Sequence, residues 1–305
     1  MSEYPGPEVN RQTRKKVVEL RVDTSVGRSA ALLTRTGGIG HVALFLLICV
    51  NWYPAIGLAW LGPVAAGAVF VATLVFVRLD GLRLADVGVA LGRGSVRRAM
   101  VGFGIGLLLV AIHTVITASV APIRWVRAED PTISRTLMWF FIFVFFATRE
   151  EWTFRGYPLR VLAARWGPWP AQITLAIVFG MEHALGGATW QNAMLGAGAG
   201  ALLFSTAALA SGGLALPIGM HVAWNFGDWL RGGRGGGGLW DIVVVDGLTD
   251  RADWVALGTY LTLVAAASLG FDRWGRWRSA YHRARVEQRR ISGDASSTND
   301  SAMWN

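Results

Sequence analysis

Apolar runs of membrane-spanning length recur through the middle of the chain, and they constrain the fold more than any other feature. They lie near residues 39–57, 61–78, 99–121, 136–158, 169–186, 190–210, 214–230 and 254–271. A perpendicular helix needs about 20 residues to cross a hydrocarbon core of about 30 Å. Several runs are shorter, so we expect some helices to be short, broken or shielded by their neighbours. The pattern predicts an all-α fold, a polytopic membrane helical bundle of about eight transmembrane helices.

The composition agrees with a membrane protein and limits the alternatives. Of 305 residues, 53% are hydrophobic and only 16% are charged, whereas soluble domains carry about 25% charged residues. The single cysteine, Cys49, excludes an intrachain disulfide. A net charge of +9 would suit a nucleic-acid partner, but the basic residues follow membrane sidedness and form no continuous groove. We therefore expect the protein to lie in the lipid bilayer and to bind no nucleic acid.

The distribution of basic residues predicts the orientation in the membrane. If the N-terminus is cytoplasmic, most of the 29 Lys and Arg residues lie in cytoplasmic segments, as the positive-inside rule requires. The other side holds only Arg124, Arg127, Arg135, Arg231, Arg234 and Arg251. We predict a multi-pass protein of the cell membrane with both termini cytoplasmic. Its parts are a basic tail (1–35), a transmembrane domain (36–272) and a basic, partly disordered tail (273–305).

Two polar connections interrupt the apolar runs. Residues Leu79–Arg98 are rich in glycine and weakly amphipathic, which predicts a short helix or loop on the cytoplasmic interface. Residues Arg231–Asp253 contain a run of glycines and several aspartates, which predicts a flexible external loop.

Four charged residues interrupt the fourth apolar run, at Arg149, Glu150, Glu151 and Arg155. A charge at the bilayer centre costs about 2.5–3.5 kcal/mol on insertion scales, so such residues usually mark a functional site. Glu151 and Arg155 are four residues apart in the favoured order, and we expect them to neutralise one another. Glu150 would then be free to face another helix. The alternative is that both glutamates are merely paired, although a second buried pair brings little net stability.

Two histidines and an asparagine lie on other apolar runs. His183 is late in the fifth run, while His221 and Asn225 lie one turn apart in the seventh. At about 1.5 Å per residue, all three can lie at the depth of Glu150 and share a buried aqueous pocket with it. Simpler roles are predicted for four other polar residues: hydrogen bonds to neighbouring helices for His41 and His113, and helix-end partners for Glu182 and Asp228.

These residue types together indicate hydrolysis. A carboxylate and an imidazole can hold a water molecule and take its proton. A second imidazole and an amide can donate hydrogen bonds to the oxyanion that forms when this water attacks a carbonyl. The sequence has no serine or cysteine in a nucleophile context beside them, and it lacks a His-Glu-x-x-His motif. We therefore expect direct attack by water, without a covalent intermediate.

Three motifs lie on the fourth, fifth and seventh apolar runs: Glu150-Glu151-x-x-x-Arg155, Phe179-x-x-x-His183 and His221-x-x-x-Asn225. They resemble the motifs of the CPBP family, which comprises the CAAX prenyl protease type 2 and the bacteriocin-processing, Abi-like intramembrane proteases. The resemblance covers about 135–230. Arg149 departs from the family pattern, in which small or apolar residues commonly precede the paired glutamates.

The resemblance implies an intramembrane endopeptidase that acts on a membrane-associated protein or peptide. The implied catalytic residues are Glu150, His183, His221 and Asn225, and the implied supporting pair is Glu151 and Arg155. Glu150 and His183 would activate water, and His221 and Asn225 would stabilise the oxyanion. The family is often labelled a metalloprotease, and Glu150, His183 and His221 would supply a zinc set with one open position. A glutamate–histidine pair can also act without metal, and we favour this alternative.

Two functions of other classes are alternatives. The chain could be a non-catalytic membrane scaffold or a bacteriocin self-immunity protein, in which the pocket is intact but dispensable. It could also be a small transporter whose acidic and histidine residues relay protons. The sequence shows no pair of repeated Gly- or Pro-broken spans, which disfavours the transporter.

Overall fold

The computed structural model describes residues 38–50, 58–234 and 236–292. The predicted tail 1–35 and the end of the predicted tail 273–305 lie outside these residues. The helices are α1 (Gly38–Cys49), α2 (Leu58–Leu79), α3 (Ser95–Val120), α4 (Ile133–Arg155), α5 (Tyr157–Trp166), α6 (Pro168–Leu185), α7 (Ala199–Ser211), α8 (Ala215–Leu230) and α9 (Thr249–Ser292). A π-helical stretch, Asn192–Gly198, leads directly into α7.

The prediction of an all-α membrane bundle is confirmed. Every predicted apolar run is mainly helical over the residues that the structure describes. Four helical segments of the described ranges are long and apolar enough to cross a membrane: Gly62–Leu79, Ser95–Val120, Asn192–Ser211 and Thr249–Arg285. The helix α4 is less apolar than these four segments because it carries the charged cluster, and α8 is shorter, with only 16 residues. They rely on neighbouring helices for cover.

The helix boundaries differ from the prediction at two places. The helix of the fourth run ends at Arg155, because the chain turns at Gly156 and the separate helix α5 begins at Tyr157, with Pro158 in its first turn. Proline suits the first turn of a helix, where its missing N–H is not needed. The last helix, α9, has 44 residues, so it continues well past the predicted end of the membrane domain at residue 272.

The prediction of a flexible loop at Arg231–Asp253 is wrong. The segment contains strand β2 (Trp240–Val244), which pairs antiparallel with β1 (Ile123–Arg127). Its glycines allow close backbone contact, since a Cβ at Gly238 would lie 2.1 Å from the Trp229 carbonyl oxygen. The glycine-rich composition therefore reflects tight packing against the end of α8, which the sequence pattern alone did not reveal.

Helices α3 and α8 approach each other closely through glycines. A Cβ at Gly102 would lie 2.1 Å from the Leu216 carbonyl oxygen, and one at Gly219 would lie 2.0 Å from the Ala99 carbonyl oxygen. Small residues at helix interfaces allow such contact in membrane proteins, where van der Waals packing drives helix association. The glycine contacts therefore fix the position of α8, which carries two of the predicted site residues.

Candidate active site

Glu151 is the most deeply buried acid of the site, with a side-chain exposure of 0%. Its Oε1 atom lies 3.4 Å from Arg155 Nη1, in the pair that the sequence spacing predicts, and 2.9 Å from His221 Nδ1. The Arg155 guanidinium also lies over the ring of Phe179, 4.6 Å from its centroid. A buried charge needs such compensation. Glu151 and Arg155 thus tie α4 to α8 and α6 behind the site.

Glu150 faces another helix, as the sequence spacing predicts. Its Oε2 atom lies 3.5 Å from His221 Nε2 on α8, and its Oε1 atom lies 4.0 Å from Arg149 Nη1, at the distance limit for an ion pair. Glu150 retains 14% side-chain exposure, unlike the glutamate beside it.

His221 lies between the two glutamates, with one ring nitrogen directed to each carboxylate. Its ring stacks on Phe204, with 4.4 Å between the ring centroids and an interplanar angle of 17°. A proton on Nδ1 can be donated to Glu151, so that the buried carboxylate fixes both the orientation of the ring and the placement of this proton.

His183 is held by its own helix. Its Nδ1–H can donate to the carbonyl of Phe179, 2.9 Å away and one turn earlier in α6. This bond leaves Nε2 available as an acceptor. His183 and Glu150 line the same cavity.

The four residues for which a catalytic role is predicted line one cavity of about 1040 Å³. They are Glu150 on α4, His183 on α6, and His221 and Asn225 on α8. The predicted supporting residues, Glu151 and Arg155, lie behind this wall and are fully buried. The structure therefore brings the six residues together in two layers, and their chemical roles remain predictions.

Asn225 has a partner that the sequence did not reveal. Arg234, which follows α8 in the glycine-rich segment, donates a hydrogen bond from Nη2 to Asn225 Oδ1. Its guanidinium also lies 5.5 Å from the ring centroid of Phe143 and 3.6 Å from a carboxylate oxygen of Asp228. Since the amide oxygen accepts from Arg234, the NH₂ group of Asn225 is left to donate into the cavity.

Arg149 and Glu182 form a second buried ion pair beside the site. Arg149 Nη2 lies 2.6 Å from Glu182 Oε1, and it also donates to the Cys49 carbonyl at 3.1 Å. Glu182 is thus a buried partner between helices, and its prediction as a helix-end partner is wrong. Arg149 precedes Glu150 but is directed to α6 and α1, because successive side chains on a helix are about 100° apart.

The other polar residues have the simpler roles predicted for them. His41 Nδ1 lies 2.6 Å from Asp80 Oδ1. His113 bonds from Nε2 to a backbone carbonyl of α9 at 3.0 Å, and its Nδ1 lies 2.8 Å from Arg231 Nη1. Asp228 pairs with Arg231 at 2.7 Å, at the C-terminal end of α8. These contacts give His41, His113 and Asp228 structural partners.

Zinc binding by Glu150, His183 and His221 stays a prediction. Among the described residues, no group of three or more His, Cys, Asp or Glu side chains is placed to hold a metal ion. Each of the two histidines uses Nδ1 for a contact with a protein oxygen, and Nε2 of His221 lies 3.5 Å from Glu150 Oε2. A tetrahedral zinc site needs three such donors converging at about 2.0–2.2 Å from one point.

The match to a known family covers the segment that carries the site. Residues 132–227 match a family model described as Type II CAAX prenyl endopeptidase Rce1-like. In this segment the chain matches the Rce1-like family. The resemblance to the CPBP family is thereby confirmed. No significant match to a curated protein or to a solved structure was found.

The Rce1-like segment begins at Thr132, the N-cap residue of α4, and ends at Gly227 within α8. It includes every residue for which the motifs predict a role. Arg234 and the two strands lie outside it. The contact between Arg234 and Asn225 thus adds a group from outside the matched segment to the wall of the cavity.

Proposed function

We propose that the chain is an intramembrane endopeptidase that hydrolyses a peptide bond of a membrane-associated substrate with an activated water molecule. The observation that carries this proposal is the placement of Glu150, His183, His221 and Asn225 on the wall of one cavity. The Rce1-like match supports hydrolase activity, since the matched family model is that of an endopeptidase.

The proposed reaction begins with a water molecule between Glu150 and His183. Glu150 takes one proton while the water oxygen attacks the carbonyl carbon of the scissile bond. The C–N bond then breaks, and the same proton passes to the leaving amine nitrogen. One water is consumed, and a carboxyl group and an amine are released. No group on the protein forms a covalent bond with the substrate.

Two further side chains would stabilise the oxyanion of the tetrahedral intermediate. The NH₂ group of Asn225 can donate to it, because Arg234 occupies the amide oxygen. His221 can donate from Nε2 when it is protonated, while Glu151 holds the Nδ1 proton at 2.9 Å. Oriented donors of this kind stabilise a developing negative charge without reorganising during the reaction. The proposal requires no metal ion.

We also propose that the protein is integral to the membrane with both termini cytoplasmic. The four apolar helical segments and the positive-inside distribution of Lys and Arg residues support this orientation.

The experiment compares membranes of cells that express the wild type, Glu150→Ala, His183→Ala or His221→Ala at equal levels. A membrane-associated precursor should accumulate in all three variants and be processed in the wild type. Equal processing by the wild type and Glu150→Ala would refute the catalytic proposal. Bacteriocin protection that persists in all three variants would indicate the scaffold or immunity function instead. Processing by the purified wild type should survive dialysis against a chelator.

A further inference from the structure

The cavity of the candidate site reaches only one end of the bundle. Near β2 it is lined by Arg234, Ile242, Asp250 and Asp253, and the two aspartates are exposed. Among the described residues that line it, none comes from the connections at the opposite end, which are 80–94, 156–167 and 212–214. The mouth of the cavity is therefore at the end of the bundle where β1 and β2 pair.

The wall of the cavity is shortest beside α6. This helix ends at Leu185, only two residues after His183. The cavity lining there includes Thr189 in the connection after α6 and Gln191 and Asn192 at the start of the next helical stretch, and these three residues are exposed. A polypeptide can therefore approach His183 over a polar turn, without passing along the full length of a helix.

The basic residues place the two ends on different sides of the membrane. The end of the bundle that the cavity does not reach is called the closed end. It carries Arg160 and Arg165 of α5 and the arginines of the C-terminal half of α9. The β1–β2 end has fewer basic residues, namely Arg124, Arg127, Arg135, Arg231, Arg234 and Arg251. By the positive-inside rule, the closed end is cytoplasmic and the mouth is extracytoplasmic.

We infer that the substrate reaches Glu150 from the extracytoplasmic side of the membrane. This inference rests on the proposed function and makes its substrate class specific: a membrane-anchored polypeptide whose scissile bond lies in, or next to, the extracytoplasmic half of the bilayer. A lipidated tail on the cytoplasmic face cannot reach the mouth. The inference therefore separates this chain from an enzyme that processes prenylated cytoplasmic C-termini, although the matched family is described by that activity.

The test uses single cysteines, because Cys49 is the sole native cysteine and its side chain is buried. In a Cys49→Ser background, Gln191→Cys and Asp253→Cys place a thiol at the mouth. Leu91→Cys is the matched control at the opposite end, where the residue is 85% exposed. A membrane-impermeant maleimide added to intact cells should label the two mouth variants. Leu91→Cys should react only after permeabilisation. The reverse pattern would overturn the inference.

A second measurement links the mouth to processing. Labelling of Gln191→Cys in intact cells should cause the accumulation of the precursor that accumulates in Glu150→Ala cells, while the same treatment of Leu91→Cys cells should not. Inhibition through Leu91→Cys alone, after permeabilisation, would contradict the inference. The two proposals can fail separately. If the protein is not a protease, no precursor accumulates in Glu150→Ala cells, but the labelling pattern still reports the side of the membrane on which the mouth lies.

Discussion

Arg149 on α4 and Glu182 on α6 form a buried ion pair, with 2.6 Å between Nη2 and Oε1. Arg149 directly precedes Glu150 in the sequence, and Glu182 directly precedes His183. The same guanidinium donates to the Cys49 carbonyl at the end of α1. The pair therefore joins three helices at the level of the site and fixes the separation of the two groups that we propose activate water.

Removal of one partner of this pair should destabilise the protein strongly. Arg149→Leu leaves the Glu182 carboxylate buried without its guanidinium, which costs about 3–5 kcal/mol of unfolding free energy. Arg149→Leu combined with Glu182→Leu should recover most of this loss, because no unpaired charge remains. Unfolding in detergent measures both effects. Arg83→Ala, which breaks an exposed pair with Asp86, is the control and should cost at most about 1 kcal/mol. Equal losses in Arg149→Leu and Arg83→Ala would argue against a bracing role.

Glu151→Gln should reduce both stability and activity. The substitution removes the charge that compensates the fully buried guanidinium of Arg155 and the partner of His221 Nδ1. We expect a loss of about 3–5 kcal/mol of unfolding free energy together with a loss of processing. Thermal unfolding and precursor cleavage, measured on the same preparation, test this. A variant with wild-type stability and no activity would instead indicate that Glu151 acts directly on the substrate.

Arg234→Ala should lower kcat with little change in KM, because Arg234 orients Asn225 and other groups bind the substrate. Loss of one hydrogen bond worth about 1.4 kcal/mol corresponds to about a tenfold decrease. Asn225→Ala removes a donor to the oxyanion and should cost about 10²–10³-fold. The double variant should be no slower than Asn225→Ala, as expected for coupled residues. Arg127→Ala on β1 is the control and should leave kcat unchanged. A rise in KM alone in Arg234→Ala would instead show that the guanidinium binds the substrate.

Gly219→Ala should separate α8 from α3. The added Cβ would lie 2.0 Å from the Ala99 carbonyl oxygen, so the helix that carries His221 and Asn225 must move. Overpacking of this kind costs about 1–3 kcal/mol, and activity should fall with it. Gly104→Ala on α3 is the control, since a Cβ there meets no atom within 4 Å. That variant should be neutral or more stable by about 0.5–1 kcal/mol, and a similar loss in both variants would show that the close contact is unimportant.

Much of the fold was predictable because its determinants are local in the sequence. Apolar runs indicate membrane helices without knowledge of their partners. The pair of Glu151 and Arg155 follows from helical spacing alone. The placement of His221 and Asn225 on one face of α8 follows from the same periodicity.

The contacts between helices were not predictable, because they depend on how the helices pack. Arg149 and Glu182 are 33 residues apart, and no sequence pattern links them. The position of His221 between Glu150 and Glu151 requires the register of α8 against α4. Arg234 lies in a segment that its glycines made us interpret as flexible. An arginine inside an apolar run, next to the paired glutamates, indicates that a further acid lies nearby to compensate its charge.

The most direct test of the account is the cleavage of the accumulated precursor by purified Glu150→Gln and wild-type protein in the same detergent. The carboxylate contributes to the chemical step as a general base, so its loss should slow cleavage by about 10²–10⁴-fold. Glu129→Gln, which changes an exposed glutamate before α4, should cleave at the wild-type rate. Cleavage by Glu150→Gln at the wild-type rate would contradict the central claim that this carboxylate activates water.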